Sequence, residues 1–155
     1  MKIVCDRVEL TEALGLACTI VQPRSTKPVL QSIEIRAGKT GVEILATDLE
    51  VGVRVRVEKA DVERDGQALL PAQKALSIVR ELDGEKLEIA CEDRVTTIKG
   101  PGARFRVVGE DPAEFPEVPD MNGEALHFGR TQLEAMIRKT AFSAAVESAR
   151  YALNG

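Results

Sequence analysis

The chain switches between two hydrophobic periods, and the switch recurs. Over residues 27–57 the period is two. Ser32-Ile33-Glu34-Ile35-Arg36 alternates polar with apolar, and Val42-Glu43-Ile44-Leu45 resumes the run. Val51, Val53, Val55 and Val57 then alternate with Gly52, Arg54 and Arg56. Such alternation marks strands with one buried face. Gly38-Lys39-Thr40-Gly41 supplies a hairpin turn, and Thr47-Asp48 supplies side-chain oxygens that bond local backbone. Three antiparallel strands with one apolar face require a cover.

Ahead of the meander the period is helical. Lys2-Ile3-Val4-Cys5 reads as a short strand, and Asp6 is placed to cap a helix. Leu10, Leu14, Ala17, Cys18 and Val21 predict that helix as an amphipathic one over 9–21, weakened by Gly15 and Thr19. Pro23 puts residues 22–26 in a loop. The first unit is therefore strand, helix and three strands. The order repeats. Gln67-Ala68-Leu69-Leu70 predicts a strand after the Asp65-Gly66 turn, and a helix over 71–82 opens on Pro71. Its stripe is Ala75, Leu76, Ile78, Val79 and Leu82. Strands follow over 86–91, 95–99 and 103–107, with Gly100-Pro101-Gly102 turning between the last two. The expected fold is α+β: two pseudo-symmetric β-α-β-β-β units, with paired helices on the inner face of antiparallel sheets.

Pro112, Pro116, Pro119 and Gly123 mark 111–122 as a strap across this first domain, 1–122, with Phe115-Pro116 as its expected anchor. Residues 123–155 begin a further copy. Ala125-Leu126-His127-Phe128 predicts a strand, and Leu133, Ile137, Thr140, Ala141 and Ala144 stripe a helix. The copy stops at Gly155 before its meander, so the front part of a longer repeat protein is expected.

Composition narrows the function. No apolar run approaches spanning length and no signal-peptide pattern opens the chain, which points to a cytoplasmic protein. Cys5, Cys18 and Cys91 are scattered, so buried free thiols are expected rather than a disulfide framework or a metal knuckle. No metal or other cofactor is implied. His127 has no ligand-spaced partner. Asp48 and Glu50 would share a face if both lay in a strand, the only foothold for a hydrolase, but a turn role for Asp48 is favoured. The net charge of −4 argues against whole-surface attraction to nucleic acid and leaves room for a local basic face. Arg24, Gln73, Arg80 and Arg138 fall on the outward helix faces and flanking loops, where they suit sequence-blind phosphate contacts. Glu9, Glu12 and Glu134 dilute that face.

Five motifs, in order and spacing, carry a family resemblance over all 155 residues. They are Lys27-Pro28-Val29-Leu30, Ala46-Thr47-Asp48-Leu49-Glu50, Leu70-Pro71-Ala72, Glu114-Phe115-Pro116 and Arg150-Tyr151-Ala152-Leu153-Asn154-Gly155. The chain resembles the N-terminal part of the bacterial DNA polymerase III β subunits, the ring-shaped sliding clamps. The resemblance implies a DNA-clamp domain and a non-catalytic processivity factor, acting at the bacterial nucleoid. Three such domains would form a subunit, and two subunits a head-to-tail homodimer around duplex DNA. DNA polymerase III and the clamp loader would be partners. Arg24 matches a DNA-contacting arginine of the family, and Gln73 stands where some members have another. Tyr151 is placed on the DNA side with them, whereas Glu147 and Ala152 depart from residues linked to DNA contact. Arg150 and Leu153 match one edge of the partner-peptide pocket. Lys74, Ile78, Leu82, Arg104, Phe105 and Val107 match the face that meets the other subunit. The alternative is an interaction scaffold that never touches nucleic acid.

Overall fold

The structure, a computed structural model, describes residues 1–119 and 126–144. It divides into two compact units, Met1–Pro119 and Asp120–Gly155. In the first, β1 (Lys2–Asp6) leads into α1 (Arg7–Ile20). The helix begins two residues earlier than the apolar stripe predicts, because Asp6 is the cap and its Oδ1 accepts the Glu9 N–H at 2.9 Å. The meander follows as β2 (Ser32–Gly38), β3 (Gly41–Thr47) and β4 (Gly52–Val57). Then come β5 (Ala60–Arg64), β6 (Gly66–Pro71), α2 (Ala72–Glu81), β7 (Lys86–Glu92), β8 (Val95–Gly100) and β9 (Ala103–Val108).

Two antiparallel sheets result, ordered β5-β1-β7-β8-β9 and β4-β3-β2-β6. Each meander is completed by the leading strand of the other half. β1 pairs with β7, placing Ile3 opposite Ile89 and Cys5 opposite Leu87. β6 pairs with β2, placing Ala68 opposite Ile35 and Leu70 opposite Ile33. All eight of these side chains are buried, so the two halves present matching ladders to the interior. α1 lies against β3, β4 and α2, and α2 lies against β6 and β2. Their stripes join the inner faces of both sheets in one continuous core. The helices are side by side on the inner face, as the pattern requires.

β5 departs from the expected unit. It is an added edge strand, paired with β1 and tied to it by Lys2, whose ammonium meets Glu63 at 2.8 Å and Glu88 at 3.5 Å. Those carboxylates hold the Lys2 pKa above its ordinary value, the Glu63 hydrogen bond contributing most. The loop before β5 is bound to α1: Glu9 accepts the N–H groups of Glu58 and Lys59 at 2.6 and 2.9 Å.

The strap runs over the outer face of the four-stranded sheet. It leaves β9 where Gly109 donates to Arg94, bridges Leu69 through Glu110, and makes a short 3-10 turn at Pro112–Glu114 capped by Asp111. The Ala113 N–H and then Arg94 hold the Asp111 carboxyl below the usual carboxylate range. At its far end Arg54 donates to the Val118 carbonyl at 3.1 Å. Val118, 9% exposed, is the buried anchor, whereas Phe115 is only half-buried. The two outer faces differ in matching rows. Under the strap the row is Leu69, Glu34, Leu45, Arg54; on the other sheet it is Val4, Glu88, Lys99, Arg104. Lys99 takes the place of a fully buried leucine, and that face stays wet. Glu34 tolerates burial because Arg36 donates to both of its carboxylate oxygens, at 3.3 and 2.9 Å.

In the second unit the described residues form one α-helix, α3 (Arg130–Thr140), and a 3-10 turn at Ala141–Ser143. Leu126, His127 and Phe128 are not in a strand, contrary to the sequence expectation, and Ala125 lies outside the described residues. Without a neighbouring strand to pair with among the described residues, their alternation has no ladder to join.

Two glycines test this packing. A Cβ on Gly109 would stand 1.8 Å from the Leu69 carbonyl oxygen, so the backbone itself must move. Gly109→Ala is expected to destabilise the domain by about 3 kcal/mol or more. A Cβ on Gly15, inside α1, meets nothing within 4 Å. Gly15→Ala is expected to stabilise by about 0.5–1 kcal/mol. Urea unfolding of both variants measures the contrast, and equal effects would refute the packing described.

Candidate nucleic-acid interface

The outward side of the helix pair is built from what the core leaves over. On α1, Leu10, Ala13, Leu14 and Ala17 are buried, and Val8, Glu12, Leu16 and Thr19 are exposed. On α2, Ala72, Ala75, Leu76, Ile78 and Val79 point inward, which leaves Gln73, Lys74, Ser77, Arg80 and Glu81 exposed. Arg80 also reaches the first helix electrostatically: burial raises the Cys18 thiol, and the Arg80 charge opposes that rise. Arg24 stands exposed in the loop that follows α1. Arg24, Gln73 and Arg80 are thus surface groups of the first unit, as their positions off the apolar stripes require.

Arg138 belongs to the second unit and is exposed on α3. It is already paired, its guanidinium meeting the Glu134 carboxylate one helical turn away at 2.6 Å. An exposed pair of this kind is worth only about 0.2–0.5 kcal/mol. Tyr151, Arg150, Leu153, Glu147 and Ala152 lie outside the described residues.

The six residues matched to a subunit edge fall into two groups. Lys74 and Arg104 are exposed, and Phe105 is 39% exposed. Leu82 and Val107 are buried at 2% and 1%, with Ile78 at 9%, and all three belong to the core of this chain. β9 has no strand on its outer side among the described residues, so its backbone is open beside Phe105.

The chemistry-bearing residues do not assemble into a reactive centre. Asp48 is in a turn after β3, where its Oδ1 accepts the N–H groups of Glu50 at 3.0 Å and Val51 at 2.7 Å. The pairing of Asp48 and Glu50 on one strand face is therefore wrong: the chain turns between them, with Leu49 at φ +82°. Among the described residues no His, Cys, Asp or Glu cluster could hold a metal ion. Cys5, Cys18 and Cys91 are free, and burial pushes the Cys5 thiol up to about 12. No helix among the described residues is long and apolar enough to cross a membrane.

Comparison with known proteins places this geometry. A family model described as DNA polymerase III beta subunit, N-terminal domain, matches residues 1–119. The beta sliding clamp of Chlamydia muridarum is 32% identical over 158 residues, a match covering all of this chain and 43% of that protein. That of Pseudomonas aeruginosa is 30% identical, with the same coverage. Among solved structures, Caulobacter crescentus pol III beta superposes with a TM-score of 0.89 at 28% identity, over 100% of this chain and 42% of that one. The chain thus spans about 43% of the length of the curated relatives it matches.

Thiol chemistry reports on the helix seam. At pH 8, iodoacetamide is expected to label Cys18 first and Cys5 last, since Cys5 stays neutral and buried until the domain opens. Arg80→Met removes the charge that favours the Cys18 thiolate at nearly constant bulk, so Cys18 labelling should slow. Mass-spectrometric labelling rates measure both effects, and an unchanged Cys18 rate would place Arg80 away from α1.

Proposed function

The chain belongs to the DNA polymerase III beta-subunit family, and we propose that it forms the first domain of a sliding clamp. In this reading it is part of a non-catalytic processivity factor that encircles duplex DNA and tethers the replicative polymerase. The observation that carries the reading is the side-by-side pair α1 and α2 over one shared core, with both outward faces exposed on the same unit. A ring needs such a face turned to its hole and a sheet wall behind it. Arg24, Gln73 and Arg80 would meet phosphates, contacts that position a duplex without reading its sequence. DNA polymerase III and the clamp loader would be its protein partners, and the bacterial cytoplasm and nucleoid its place of action.

The β9 edge, with Lys74, Arg104 and Phe105 outward over Ile78, Leu82 and Val107, would meet a different patch on a second subunit. Such a head-to-tail contact is heterologous and closes only when both patches are present. Arg138 and Tyr151 would add to the DNA side, and Arg150 and Leu153 to the edge of a partner-peptide pocket. One observation favours the scaffold alternative: the exposed line Val8, Glu12, Leu16 and Thr19 carries no cation.

Two measurements decide between these readings. Phosphate neutralisation scales with the number of contacts. With few cations and no closure, the 155-residue chain should bind duplex DNA no more tightly than about 10⁻⁴ M at physiological salt. Binding should weaken with salt and be equal for unrelated duplexes in an anisotropy titration. Tight, sequence-selective binding would overturn the clamp reading. An open apolar edge also invites pairing. Sedimentation should therefore show concentration-dependent self-association that Phe105→Asp abolishes, and a monomer at every concentration would count against the proposed edge.

A further inference from the structure

Charge along the helix pair is unevenly placed. The first turn of α1 opens on an acidic groove that includes Glu9, Glu12 and Glu58. Its other end differs. No acidic residue stands between Glu12 and Glu34 in the sequence, and the only cations in that stretch are Arg24 and Lys27. Both are exposed, and neither makes an ion pair among the described residues.

Ser25 makes three of the hydrogen bonds that order the loop carrying them. The Ser25 N–H donates to the Gln22 carbonyl at 3.2 Å, and its Oγ accepts the Lys27 N–H at 3.2 Å. Its carbonyl accepts from Gln31 Nε2 at 2.8 Å. Val21 and Leu30, both buried, anchor the two ends of the segment. The flanking side chains of Arg24 and Lys27 are left to solvent. Three residues separate their Cα atoms by no more than about 11 Å. That is close to the screening length of about 8–10 Å at ordinary ionic strength, so the two charges act on one stretch of a polyanion. No carboxylate in the loop cancels them.

We propose that Lys27 is a phosphate contact for duplex DNA, acting with Arg24 as a two-cation grip on the backbone beyond the C-terminal end of α1. Ser25 is the positioning residue of the pair. The identity of the polyanion rests on the clamp reading; the grip itself rests on the loop. Contact in this domain then concentrates in the loop and on α2, and the outer line of α1, which carries no cation, stands clear of phosphate.

The test is the salt dependence of duplex binding by the 155-residue chain, followed by anisotropy between about 20 and 200 mM salt. Each phosphate contact contributes about 0.9 to the slope of log K against log salt. Lys27→Ala and Arg24→Ala should each lower that slope by about this amount, and Lys27→Arg should restore it. Ser25→Ala should weaken binding with the slope unchanged, because both charges remain. Lys39→Ala, on the exposed turn between β2 and β3, should change nothing. A Lys27→Ala slope equal to wild type, or no binding at the lowest salt, overturns the grip. Neither result touches the clamp reading, which depends on closure and fails only on sequence-selective binding.

Discussion

The exchange of leading strands is the constraint on which the rest depends. β1 begins the first half and completes the sheet of the second; β6 does the reverse. Neither meander can hide its inner edge alone, because an unpaired row of buried N–H and C=O groups would cost too much. Each exchanged strand also brings apolar side chains to full burial, Ile3 and Cys5 from one half and Ala68 and Leu70 from the other. At about 1.5–3 kcal/mol for a fully buried aliphatic side chain, the two halves are bound by core energy as well as by ladders. The position of the helices is a consequence. Each is joined directly to an exchanged strand, so crossing strands place α1 and α2 beside one another. The surface proposed to face a duplex is therefore a product of strand pairing, not of helix propensity.

Much of this is legible in the chain. Alternation and helical stripes locate both meanders and both helices, and the residues left off the stripes, Arg24, Gln73 and Arg80, are the exposed ones. What periodicity cannot give is partnership. Ile3 and Ile89 carry no local mark of pairing, and a strand reads the same whichever sheet receives it. β5 leaves little trace because Ala60-Asp61-Val62-Glu63-Arg64 has only Ala60 and Val62 to bury, as suits an edge strand. Size alone points to Phe115 as the strap anchor. Val118 is buried instead because Gly52 leaves a space that a Cβ would fill: one placed there would lie 2.9 Å from Val118 Cγ1.

The candidate site is less legible, and electrostatics explains why. A sequence shows where a charge is but not what has already taken it. Arg138 and Glu134 stand four apart, so their pairing is legible, whereas nothing in the sequence marks Arg24 and Lys27 as unpaired. Leu82 and Val107 look like edge residues, yet they are core. Lys27 reads in the sequence only as part of a motif, and its value as a free charge depends on how Ser25 orders the loop around it.

The exchanged strands also set a schedule for synthesis. β1 ends at Asp6, and its central partner β7 does not begin until Lys86. At about 5–20 residues per second, a nascent β1 waits roughly 4–16 s for that partner to be made. In the interval its apolar residues are open to chaperones and to wrong strands. The first half cannot mature and then await the second, so folding of the domain is postponed until nearly all of it has left the ribosome. Such non-local pairing also slows the closing step itself, since the chain loses loop entropy before the ladder forms.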